Sequence, residues 1–116
     1  MVDTCIMNVL NRAEVIDQLT RRGAASDVVG AEIDTLGISF EPLSIDTADQ
    51  AALLRSRHYH RTKRPLSMAD CVALATATTS GSSLATSDLH LATTCVEVGC
   101  SVVEIANSKG AYPLRK

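Results

Sequence analysis

Short apolar runs alternate with longer segments of helical period along this chain, and glycine or proline closes most of them. Residues 4–7, 38–43, 83–86 and 101–105 read as strands, with Pro42 marking an edge or an end. Residues 9–22 read as a helix, because Val9, Ala13, Ile16 and Leu19 recur at helical spacing. Arg21-Arg22-Gly23 then gives a basic last turn followed by a C-terminal glycine. A second helix is expected over 26–36, capped by Ser26 and ended by Gly37. A third, capped by Asp46 or Thr47, runs to about His60 and is stopped by Pro65. A fourth, capped by Ser67, runs to about Thr79 and is apolar on nearly every side, which predicts burial. Residues 89–96 read as a weaker helix. Strands alternating with helices predict an α/β fold with a mostly parallel sheet. No repeat and no second composition appears, so a single domain over 1–116 is expected, with residues 107–116 as a fraying tail.

Composition bounds the chemistry. The 116 residues are 46% hydrophobic but only 3% aromatic, with no Trp, so the core must be aliphatic. The net charge of −2 does not advertise a nucleic-acid partner, but its distribution is uneven. No Lys or Arg lies between Arg22 and Arg55, whereas Arg55, Arg57, Arg61, Lys63 and Arg64 crowd together with His58, Tyr59 and His60 among them. That composition suits an RNA backbone, with cations for phosphates and rings for stacking. It equally suits a solvated helix end, where cations are favoured. No apolar run could span a membrane. No secretory signal is recognisable, and the scattered Cys5, Cys71, Cys95 and Cys100 read as reduced thiols of a cytoplasmic protein. His58 and His60 with Cys95 and Cys100 match no structural-zinc spacing.

Three acids stand at helix starts or just after short apolar runs: Glu14 in Asn11-Arg12-Ala13-Glu14-Val15, Asp70 in Leu66-Ser67-Met68-Ala69-Asp70, and Asp88 in Leu84-Ala85-Thr86-Ser87-Asp88. Open α/β sheets present side chains to ligands at such places. Carboxylates suit Mg²⁺ or Mn²⁺, hard ions that prefer oxygen. An ion so held activates water and clamps a phosphate, so no side-chain nucleophile is needed. Each acid also has a structural reading. Glu14 fits the solvated side of an amphipathic helix, Ser67 and Asp70 form a capping box, and Asp88 fits the cap of the helix beginning at Leu89. No Gly-x-Ser-x-Gly turn and no Gly-rich phosphate loop competes with the acids.

With these residues in view, the chain resembles the PIN-domain ribonucleases, specifically VapC-like toxins of type II toxin–antitoxin pairs. The segment from Met7 to Leu19 is similar to the family's second motif, that from Leu66 to Ala75 to its third, and that from Ser83 to Asp88 to its fourth. The resemblance implies a PIN-like three-layer fold and a metal-dependent endoribonuclease. Glu14, Asp70 and Asp88 would ligate Mg²⁺ or Mn²⁺, with Ser67 and Ser87 as supporting hydroxyls. The resemblance also implies a homodimer and a cognate antitoxin. Arg61, Lys63 and Arg64, on the composition of the basic segment and not on the resemblance, would contact RNA. The family opens with a strand ending in an Asp and two helices before the second motif. Here Met1-Val2-Asp3-Thr4 is similar to that opening, yet Asp3 stands too close to Glu14 for the helices to fit. The chain is therefore expected to be N-terminally shortened. Asp3, at the start of the strand that leads to Glu14, fits poorly as the first acid, and whether it or a partner chain supplies that acid stays open. A catalytically inactive remnant that only binds an antitoxin or other protein is the alternative.

Overall fold

The computed structural model describes residues 5–115. It is a mixed α/β structure of two compact units, divided between Ser44 and Ile45.

In the first unit, strand β1 (Ile6–Asn8) runs directly into helix α1 (Val9–Arg21), followed by α2 (Ser26–Asp34) and β2 (Ser39–Glu41). β1 and β2 pair in parallel, with Met7 opposite Phe40. Asn8 joins these elements. Its buried side chain accepts the Leu10 amide at 2.9 Å, capping α1, and donates to the Pro42 carbonyl at 3.4 Å beyond β2. Such a cap satisfies one of the amides that a helix start leaves without an intrahelical partner. Val29 and Ile33 of α2 are buried. Arg12 stacks on Phe40 and pairs with Asp34 at 2.7 Å, tying α1 to both β2 and α2.

Three expectations shift here. Ser26 does not cap α2: the helix begins at Ser26 itself, and the amides of Val28 and Val29 bond the Ala25 carbonyl. The helix also ends at Asp34, before Leu36, because Thr35 and Leu36 turn back to the Glu32 and Ile33 carbonyls. The first strand runs Ile6–Asn8 and so ends one residue beyond the expected 4–7, since the backbone stays extended up to the Asn8 cap.

The second unit holds α3 (Ile45–His58), α4 (Met68–Ser80), β3 (Leu84–Thr86), α5 (Leu89–Glu97) and β4 (Val102–Glu104). β3 and β4 pair in parallel, with Ala85 opposite Val103. α3 and α4 form its principal packing pair. The core is aliphatic, as composition demanded. Ala51, Leu66, Cys71, Val72, Leu74, Ala75, Leu91, Ala92 and Cys95 are almost wholly sheltered, so α4 is the buried helix its sequence predicts. Met68 at its start and Thr78, Thr79 and Ser80 at its end are exposed.

Both helices that flank β3 end in the same way. Ser82 N–H returns to the Ala77 carbonyl at 2.9 Å, and Cys100 N–H to that of Cys95 at 3.0 Å. Gly81 and Gly99 take the left-handed conformation (φ 67° and 80°) that this Schellman closure needs. The C-terminal segment is tethered rather than loose as far as Arg115. The Asn107 side chain accepts the amides of Lys109 and Ala111, and Glu104 of β4 accepts Leu114 N–H and pairs with Arg115.

Candidate active site

Asp70 and Asp88 belong to the second unit and Glu14 to the first. Asp70 occupies the third position of α4. Its Oδ2 accepts the Ser67 N–H at 3.0 Å, and its own N–H donates to Ser67 Oγ at 2.9 Å. The capping box read from the sequence is therefore formed. Asp88 follows the carboxyl end of β3. Its N–H donates to Thr86 Oγ1 at 3.0 Å, and its Oδ1 accepts Leu91 N–H at 2.8 Å, capping α5. Ser87, just before it, is exposed. Glu14 lies half-buried in the second turn of α1, where Oε1 accepts from Asn11 Nδ2 at 3.3 Å.

The two caps do not compete with metal ligation. An ionised carboxylate has about four lone-pair sites over two oxygens, and each cap engages one oxygen through one bond. Capping also fixes each carboxylate against its helix, which removes rotamer freedom that a ligand would otherwise have to lose. Among the described residues, no three His, Cys, Asp or Glu side chains form a ready-made metal cluster. The available donors are hard carboxylate and hydroxyl oxygens, the set that suits Mg²⁺ or Mn²⁺. Mg²⁺ is commonly held through only one or two carboxylates, retained waters and substrate phosphates. The donor chemistry thus fits such an ion.

Thiol ligation fits poorly. Burial pushes the Cys71 thiol up, aided by the Asp70 charge and opposed by Arg55. Cys95 is pushed up to about 12 by burial and by its hydrogen bond with Cys100. Both thiols stay protonated at neutral pH, whereas metal ligation needs thiolate. Asp3 lies outside the described residues.

The basic segment divides into anchored and presented cations. Arg55 donates to the Leu66 carbonyl at 3.0 Å and covers one face of Tyr59. Arg64 grips Glu97 of α5 through both terminal nitrogens and reaches Thr94 Oγ1, while His58 Nδ1 approaches the same Glu97 carboxylate at 3.7 Å. Hydrogen bonding from Arg64 lowers the Glu97 pKa, aided by the charges of Arg64 and His58, and that pairing raises the pKa of Arg64. Arg64 is therefore part of the packing, whereas Arg61 and Lys63 are exposed. Sequence reasoning missed Glu97, 33 residues from Arg64, because nothing local marks that pairing.

An open pocket of about 340 Å³ lies at the opposite end of β3 from Asp88, between the closing turns of α4 and α5, and contains none of these acids. Among the described residues, no helix is long and apolar enough to cross a membrane.

No curated protein matches the chain. The model of the PIN domain family matches residues 1–97, a span that contains Glu14, Asp70 and Asp88. PIN domains are generally nucleases that typically use divalent metals, and PIN nucleases bind RNA. With its mixed α/β elements, its parallel strand pairs and that match, the chain belongs to the PIN domain family.

Proposed function

We propose that this chain is a metal-dependent endoribonuclease of the VapC-like toxin type, working in the cytoplasm and restrained by a cognate antitoxin. The observation that carries the reading is the fixed placement of Asp70 and Asp88. Both stand at helix N-termini within the matched span, each held by its own backbone cap. Glu14, Asp70 and Asp88 would hold Mg²⁺ or Mn²⁺. When bound, such an ion lowers the pKa of a water and stabilises charge on the phosphate.

The chain's own contribution is placement. Ser67 and Ser87 adjoin the acids, and Ser67 Oγ accepts the Asp70 N–H at the start of α4. The N-termini of α4 and α5 carry the positive ends of helix dipoles and favour an anionic substrate nearby. No side-chain nucleophile is required, in keeping with the protonated thiols. The reading includes a homodimer. Substituting Glu14, Asp70 or Asp88 singly with Ala should abolish metal-dependent cleavage of single-stranded RNA while binding of the antitoxin persists. Full cleavage by all three variants would overturn it. A folded wild-type chain that binds an antitoxin but never cleaves would establish a binding-only protein instead.

A further inference from the structure

We infer that the 60–64 loop is a preformed seat for the phosphate backbone of RNA, contacted by Arg61 and Lys63. The inference deepens the ribonuclease reading and rests on it. Between Ala51 and Ala69 the chain has five Lys or Arg residues and no acid. The structure separates these cations by task. Arg55 and Arg64 are engaged internally, with Leu66 and Tyr59 in one case and Glu97 in the other. Arg57, Arg61 and Lys63 are exposed and have no ion-pair partner among the described residues.

The loop that carries two of them is built to hold its shape. Its base is an antiparallel bridge in which His60 and Arg64 exchange both backbone hydrogen bonds, at 2.8 and 3.0 Å. Inside it, His60 Nδ1 accepts the amides of Thr62 at 3.2 Å and Lys63 at 3.0 Å. With both amides donating to it, Nδ1 closes this turn as an acceptor. Outside it, the Arg64–Glu97 pair fastens the loop to the last residue of α5, the end of that helix away from its Asp88 cap.

Exposed cations on a floppy segment lose side-chain and backbone entropy when they bind. Cations at the tip of a pinned loop lose less, which favours a polyanion that can meet both. Arg61 and Lys63 stand nine and seven residues before Asp70, on the connection that leads into α4. An acidic protein would meet the same charges, but Tyr59 beside them is 42% exposed and adds a ring on which bases stack.

The test is fluorescence anisotropy with a labelled single-stranded RNA oligonucleotide, using the full chain in EDTA so that metal-dependent cleavage is silent. Arg61→Ala/Lys63→Ala should weaken binding roughly tenfold at low salt and reduce the slope of log affinity against log salt by about 1.4, about 0.7 for each lost phosphate contact. Arg61→Lys/Lys63→Arg should bind like wild type, and Lys109→Ala should change neither quantity. Unchanged affinity and slope in the double alanine variant, at an unchanged melting temperature, would overturn the inference. So would absence of RNA binding by wild type, or loss of an acidic protein partner alone. Cleavage assayed separately with Mg²⁺ distinguishes the two readings. Cleavage with loop-independent binding removes the loop, and loop-dependent binding without cleavage removes the nuclease.

Discussion

Ser67 and Asp70 hold each other across the first turn of α4, each donating a backbone N–H to the other's side chain, at 2.9 and 3.0 Å. The same carboxylate is the strongest candidate for a metal ligand, so structure and chemistry meet in one residue. Asn in its place keeps an oxygen acceptor for the cap and removes the charge. Asp70→Asn should therefore melt close to wild type. Ser67→Ala loses the hydroxyl cap and should cost about 1 kcal/mol, or roughly 4 °C in Tm. Thermal melts followed by circular dichroism check both. A large destabilisation in Asp70→Asn would mean that the charge itself holds the helix start.

The core of the second unit makes a sharper stability prediction. Leu74 is wholly sheltered on α4, the helix against which α3 lies. Leu74→Ala should cost about 3 kcal/mol, the transfer of the lost atoms plus the cavity left behind. Urea titrations should show a lower midpoint with an unchanged slope.

The Arg64–Glu97 pair gives a pH signature. Arg64 holds Glu97 below its ordinary value of 4.5, so the folded state favours the carboxylate. Its stabilisation is present above that value and lost as pH falls through the lower folded-state value. Wild type should out-melt Glu97→Gln at pH 7, and the gap should close on acidification. The effect is modest, because the pair is solvent-accessible. A gap that stays constant down to pH 3 contradicts the assignment.

Thiol reactivity follows burial. Cys5 is exposed, whereas Cys71 and Cys95 are enclosed. Iodoacetamide at pH 8 should modify Cys5 in the native protein and leave Cys71 and Cys95 unmodified, as read by mass spectrometry. Because Cys95 rises from 9.0 to about 12 on folding, the unfolded thiol ionises first. Stability should therefore fall as pH climbs through that window, and less steeply in Cys95→Ala.

How much of this the sequence disclosed depended on the range of each interaction. The box at Ser67 and Asp70 and the cap at Asp88 span three residues, so their signals were complete in the local string. Ser26 misled, because a neighbouring carbonyl took the amides that its hydroxyl was expected to take. Asn8 falls between the expected strand at 4–7 and helix at 9–22, and its bond to the Pro42 carbonyl, 34 residues away, leaves no local trace. The basic segment was visible as composition. That Arg64 is an anchor while Arg61 and Lys63 are presented depends on Glu97, whose partnership only the fold reveals. The three acids were legible one by one, each from its own element.

The most direct measurement is the rate of RNA cleavage by wild type and by Asp70→Asn, with Mg²⁺ or Mn²⁺ and with EDTA, on samples of matched melting temperature. The account predicts cleavage by wild type that needs the metal and is lost in Asp70→Asn despite an intact α4 cap. Equal metal-dependent cleavage by both proteins, or cleavage that persists in EDTA, would contradict it.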